Sequence, residues 1–333
     1  MASYRTGLTK IGIPETAFVS YLGFASRPKS LRTAIRSMDA PASDSWSEVA
    51  DIFRDDDWTD ELQGVAWDGS NWVFSANANQ DKPGHNDKAI YVFKGGATLG
   101  DDEWEQMLAY KDVPHPLPGT TEANDHWGQI CFFQGSVFVA HFWTNEAAKD
   151  TANVIVFTDT NGQLSFDRWI ELEKPTSADG TRTDRAEFQA INPWDGMFYT
   201  CFGGGTIDEF FIHDPSDGSW TGRSLSLHPP TSLVQGACFS PNGHLYISTN
   251  ETSGDEGQYQ TIWYYAALNG HRFGRIKVLA EADRQELEGV CFGKVSFQDG
   301  QKAQIHTVLL ENIRLALDNM YFKSFAAGTP GIV

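Results

Sequence analysis

Gln63-Gly-Val-Ala-Trp67, then Asp68-Gly69, then Trp72-Val-Phe-Ser75: this stretch decides the fold, because the chain repeats it. Gln129-Ile-Cys-Phe-Phe133 is followed by Gln134-Gly135 and Phe138-Val-Ala-His141. Gln189-Ala-Ile-Asn192 precedes Trp194-Asp-Gly196 and Phe198-Tyr-Thr-Cys201. Gln235-Gly-Ala-Cys-Phe239 leads through Pro241-Asn-Gly243 to Leu245-Tyr-Ile-Ser248, and Glu288-Gly-Val-Cys-Phe292 is answered by Thr307-Val-Leu-Leu310. Recurrence at roughly 45 to 65 residues marks one supersecondary unit used many times. Two apolar runs joined by a Gly-containing turn read as a β-hairpin.

Two further strand-like runs complete each unit. They are Ala89–Phe93 before Trp104, Asn153–Phe157 before Phe166 and Trp169, Ile207–Ile212 before Trp220, and Thr261–Tyr265 before Phe273. Four strands per unit, with an aromatic residue near the start of the fourth, predict an all-β propeller of four-stranded blades. At the N-terminus, Ala17–Tyr21 matches Val137–His141, while Leu31–Ile35 and Ser45–Val49 fit the third and fourth strand slots. The expectation is a single domain over 1–333 with six blades, near 1–58, 59–125, 126–186, 187–232, 233–285 and 286–333. The alternative is five blades, with the N-terminal extension closing the ring. Thirty-one Gly and fourteen Pro suit such a turn-rich protein.

A net charge of −19 argues against nucleic acid and anionic membrane as partners, because phosphate recognition needs clustered Lys and Arg. No apolar run approaches membrane-spanning length, and Met1 to Thr6 lead into no apolar signal segment, so a cytoplasmic location is expected. Cys131, Cys201, Cys238 and Cys291 fall in the apolar strands of different units and read as buried free thiols, without zinc spacing.

The loops at the entries to first strands and the exits of second strands are long and irregular: 77–88, 112–125, 143–152, 174–185 and 249–259. Turns at the other end are tight. Long loops gathered on one face of a rigid scaffold predict a binding face there. Gln63, Gln129, Gln189, Gln235 and Glu288 occupy matched points near the start of each first strand, and Glu61, Trp127, Glu187, Leu233 and Glu286 stand two residues earlier. Period two would keep both rows on one side of their strands. The expected lining of a small-molecule site at the channel mouth is therefore His141, Gln129, Gln63, Gln189 and His126 as hydrogen-bonding or catalytic groups. Trp127, Trp143, Phe142, Phe202, Glu61, Glu187, Gln235, Asn77 and Asn250 are expected as substrate contacts. No nucleophile elbow, phosphate loop or dinucleotide fingerprint is present in the sequence.

Two resemblances bear on this. Val234–Ile247 and Glu288–Phe292 resemble repeats of the six-bladed gluconolactonase and strictosidine-synthase-like propellers. That resemblance implies a Ca²⁺-type metal at Glu288, although Gln235 stands where those lactonases have Asn. Ile207–Phe211 with Gly218–Trp220 resembles the fungal fucose-lectin propellers, and Glu209 and Trp220 would be the matching sugar contacts, with no Arg in Phe198–Cys201. An intracellular propeller without either ligand set is similar in fold to the fungal hetero-Diels–Alderases of tropolone-sesquiterpenoid secondary metabolism. That likeness implies cyclisation or cycloaddition of a largely apolar, natural-product-like substrate by shape and hydrogen bonding, with no cofactor. A carbohydrate-binding protein and a metal-dependent lactonase or esterase are the alternatives.

Overall fold

The computed structural model describes residues 46–54, 59, 61–77, 88–94, 106–109, 125–143, 151–175, 186–203, 205–241, 243–251, 259–280, 284–296, 302–312 and 318–327. A first strand, β1 (Trp46–Arg54), precedes the first hairpin. Blade one follows as β2 (Leu62–Trp67), β3 (Asn71–Ala76), β4 (Ala89–Lys94) and β5 (Gln106–Ala109). Blade two is β6 (Asp125–Phe133), β7 (Ser136–Trp143), β8 (Thr151–Thr160) and β9 (Gln163–Glu171). Blade three is β10 (Ala190–Ile191), β11 (Phe198–Thr200), β12 (Thr206–His213) and β13 (Trp220–Ser232). Blade four is β14 (Val234–Phe239), β15 (His244–Thr249), β16 (Tyr259–Ala266) and β17 (Arg272–Leu279). Blade five begins with β18 (Gln285–Ser296), β19 (Lys302–Glu311) and β20 (Asn319–Ala327), and β1 supplies its fourth strand.

The described strands thus form five antiparallel four-stranded sheets, and the five-blade alternative is the one the structure has. Six blades were expected because Ala17–Tyr21, Leu31–Ile35 and Ser45–Val49 read together as the later strands of an N-terminal blade, and from Trp46 onward the last of these is indeed a fourth strand. It belongs to the last blade, where Ile52 pairs with Phe322 and Phe53 with Tyr321. The expected strands at 9–13, 17–21 and 31–35 lie outside the described residues. Lys323, almost fully buried, fixes the closure by holding Asp51 at 2.6 Å and Glu48 at 3.4 Å.

The core is divided into five, one cluster at each junction between neighbouring blades. Trp72, Phe74 and Phe322 join blades one and five, and Ala66, Ile130 and Ile155 join one and two. Phe138, Phe198 and Phe211 join two and three, Tyr199, Phe239 and Ile247 join three and four, and Tyr246, Ile262 and Ile305 join four and five. Second strands such as β3 and β15 are buried at every position, since a blade meets a neighbour on each side. Outer strands such as β9 alternate between buried and exposed residues.

The first strands meet around one axis: β6 touches β2, β10, β14 and β18. This closeness demands glycine. A Cβ on Gly128 would sit 2.0 Å from the Glu187 carbonyl oxygen, and one on Gly289 would sit 2.1 Å from Gln129 Oε1. The repeated glycine is therefore explained by the approach of neighbouring backbones.

Candidate functional site at the channel mouth

A bulge interrupts the start of the first strands. Leu62 pairs with Ala76 and Gly64 with Ser75, leaving Gln63 as the extra residue, and Gln235 is placed likewise between Val234 and Gly236. In blade two, Trp127 pairs with His141 and Ile130 with Val139. Gln129 is thereby in step with Gly64 rather than with Gln63. Gln189, opposite Thr200 in blade three, is in step with Gly64 as well. The predicted row of five matched residues is thus two rows offset by one position: Gln63, Gln235 and Glu288 in one, Gln129 and Gln189 in the other. An offset of one turns a side chain to the other side of its strand.

Gln129 crosses the axis. Its amide donates to Val290 O at 2.7 Å and lies 3.5 Å from Val65 O, and its Oε1 approaches Gly236 and Gly289. It is fully buried, and Oε1 has no hydrogen-bond partner among the described residues. One amide therefore ties blade two to blades one and five by hydrogen bonds and packs against blade four at Gly236. Gln189, also buried, donates to Phe138 O at 2.8 Å and faces the Cys131 sulfur at 3.8 Å.

Gln63, in the first of these rows, reaches the next blade. Gln63 Oε1 lies 2.9 Å from His126 Nε2, which is 3.0 Å from Asn77 Nδ2. The imidazole also rests on Phe142, with ring centroids 4.7 Å apart. Asn77 brackets the Trp127 peptide, accepting from its N–H at 2.8 Å and donating to its carbonyl at 2.7 Å. Asn250 does the same work between blades four and five, accepting from Leu287 N–H at 2.7 Å. These two asparagines, expected as substrate contacts, are blade-to-blade staples.

Glu288 is 3% exposed. Burial pushes its carboxyl well above the usual carboxylate range, the charges of Glu286, Glu61 and Glu187 push it further, and a hydrogen bond with Glu286 adds to the shift. Four carboxyl groups from blades one, three and five thus converge where the first strands begin. Glu61 holds a left-handed backbone (φ 52°), its N–H lying 3.4 Å from Asp318 Oδ2 and its carbonyl accepting from Asn77 N–H at 2.8 Å. Sequence pattern alone singled out Glu61 and Glu187. It left Glu286 in the background, although its position two residues before Glu288 was the available signal.

Several expected lining residues lie elsewhere. Trp127 is fully buried in the packing between blades one and two, and Phe202 is 1% exposed between blades two and three. His141 is fully buried, with Nδ1 3.5 Å from Asn153 Nδ2 and its ring edge-on to Trp169 at 4.8 Å. Apolar residues next to a first strand are drawn into the junctions because each sheet is covered on both faces. Trp143 ends β7 opposite Asp125 and Thr151, and Gln235 is half-buried at the start of β14.

Among the described residues, no group of three or more His, Cys, Asp or Glu has the spacing to hold a metal ion. The Ca²⁺ implied at Glu288 therefore finds no matching ligand group among the described residues. No described helix is long and apolar enough to cross a membrane. None of the four cysteines is disulfide-bonded.

The architecture defines a five-bladed β-propeller. Its similarity to solved structures is one of fold. A β-xylosidase, RS223, matches with a TM-score of 0.51 at 12% identity, over 80% of this chain and 92% of that one. A GH43_1 enzyme from Xanthomonas citri, complexed with xylose, matches at 0.50 and 12% over 90% and 94%. An exo-β-1,3-galactanase from Clostridium thermocellum matches at 0.51 and 10% over 79% and 58%. No known family profile matches the sequence, and no curated protein matches it. These likenesses lend no specific support to the lectin or Diels–Alderase resemblance.

Proposed function

We propose that this chain is a small-molecule enzyme that works by proton transfer at the channel mouth, with Glu288 as the acid. The observation that carries this is the buried Glu288 carboxyl, raised by desolvation and by three neighbouring carboxylates. Carboxyl groups whose surroundings push their affinities for protons apart are the usual source of an acid and a base at one pH. Glu288 would protonate a leaving or carbonyl oxygen, and a half-buried neighbour, Glu61 or Glu187, would take the complementary base role. His126, held by Gln63, would position a hydroxyl or carbonyl group.

The mouth is rich in carboxyl, amide and imidazole groups, which favours a polar, hydroxylated substrate over the apolar one first expected. Hydrolysis of a glycosidic bond needs this pairing of a protonated and an ionised carboxyl. The propellers of similar fold include a β-xylosidase and a galactanase, which makes xylosides and galactosides the first substrates to try. Acid-promoted cyclisation is the second reading. It rests on the same proton donor, with the His126–Gln63 pair to polarise a carbonyl.

The test is turnover of chromogenic β-xylosides, β-galactosides and terpenoid enones by the native protein and by Glu288→Gln. The variant should lose about 10²-fold or more in kcat. For the native protein, activity should fall as pH rises through the raised Glu288 pKa, because only the protonated form is the acid. A Glu288→Gln variant with full activity would sink the proposal.

A further inference from the structure

On the opposite face, where the turns are tight, blades three and four leave a cleft of about 270 Å³. Its walls include Asn192, Tyr199, Arg223, Ser224 and Leu268. We propose that this cleft is a second ligand site, for a small neutral polyol such as a monosaccharide presenting a vicinal diol.

The polar wall is built. Asp195 is 3% exposed, and Asn192 is 4% exposed. Asn192 Nδ2 donates to Tyr199 Oη at 3.3 Å, and Tyr199 donates to Asp195 Oδ2 at 3.0 Å. Met197 N–H donates to Asp195 Oδ1 at 3.1 Å, and Arg223 Nη2 reaches Oδ2 at 3.5 Å. Burial raises the Asp195 carboxyl above its ordinary range, so the position costs stability that a turn alone does not require. The Arg223 side chain remains 52% exposed and spends one nitrogen on Asp195, which leaves other donors of its fork for a ligand.

The other wall is apolar, from Ile212, Leu225, Ala267 and the exposed Leu268. Trp194 is fixed between the blades, donating from Nε1 to Pro241 O at 2.8 Å, with its ring over Gly243. A ring with a hydrocarbon face and a hydroxyl edge matches both walls. Charge selects among small ligands. Asp195 and Arg223 offset each other, so neither phosphate nor a cation finds an uncompensated partner. The volume lies just below that of typical drug-sized pockets, which admits one ring rather than an oligomer. Glu209 and Trp220, the residues matching the lectin pattern, are not among these walls.

The cleft lies on the face away from Glu288, so its test separates from that of the proposed reaction. The indole N–H resonance of Trp194, assigned with Trp194→Phe, is followed by NMR while D-galactose, D-xylose, L-fucose, glycerol, phosphate or guanidinium is added. At least one of the sugars or glycerol should shift it saturably, and phosphate and guanidinium should not. Arg223→Ala should weaken that binding by about tenfold or more, as loss of a charge-assisted hydrogen bond does. Leu268→Arg, at an exposed turn, should block the cleft without touching its polar floor, and Glu288→Gln should leave binding unchanged. The proposal fails if no sugar or polyol shifts the resonance, if phosphate or guanidinium does so instead, if Leu268→Arg binds normally, or if Glu288→Gln abolishes the shift.

Discussion

Asp159 and Asp68 interact across the junction of blades one and two, each at a turn. Asp68 caps its own turn through Ser70 and Asn71 N–H groups, both at 2.6 Å, and Asp159 accepts from Gly162 N–H at 2.7 Å. Burial first, then the Asp68 charge and hydrogen bond, outweigh that turn contact and raise Asp159 from 3.8 to about 6. The folded chain therefore keeps a proton that the unfolded chain has released between those values. This group's contribution to stability is fully present below about pH 4 and is lost as pH rises through about 6. Thermal melts of Asp159→Asn should lack that fall, leaving the variant relatively more stable at pH 7 than at pH 4. An unchanged pH dependence would show that the pair does not share a proton. At this same scale the sequence was only partly legible. Glu61, Glu187 and Glu288 could be picked out, but the order Gln-Gly in blade one against Gly-Gln in blade two hid the bulge register. That is why Gln129 was aligned with Gln63 although it occupies the axis.

Strands were more legible than the roles of their residues, because burial on both faces writes itself as continuous apolar runs such as β3 and β15. β1 is the exception. Its sequence, WSEVADIFR, reads correctly as an outer strand, but nothing in it names its partner. That partner lies more than 250 residues away, and Lys323 is what identifies it, through Asp51 and Glu48. Lys323→Ala removes a nearly buried cation from between two part-exposed carboxylates. It should lower unfolding free energy by about 1–3 kcal/mol, less than for a fully buried pair because water can reach both acids. Hydrogen exchange should show the cost first in β1 and β20. Equal protection in the variant would mean that backbone pairing alone holds the closure.

For the whole molecule, the architecture was readable from the repeat and the number of blades was not. A repeat counts hairpins, whereas a ring can be closed by a strand borrowed from the far end of the chain. The cysteines give a global check on the packing. Burial pushes Cys131 up to about 12, and raises Cys238 and Cys291 above the usual thiol range. Thiolates are the reactive form, so titration at pH 8 should find the native thiols slow and all four cysteines fast after unfolding. Rapid native labelling would contradict close-packed blade junctions.

Closure of blade five by β1 also bears on how the protein is made. Of the described strands β1 leaves the ribosome before all others and β20 after them, so β1 must wait for its partner. Until they meet, β20 offers an open edge and β1 a free strand that fits it. Crowded nascent or refolding chains can satisfy that edge with one another's β1, giving strand-exchanged oligomers with intact blades. Yield of monomer should then fall as refolding concentration rises, and size-exclusion chromatography of a dilution series would reveal it.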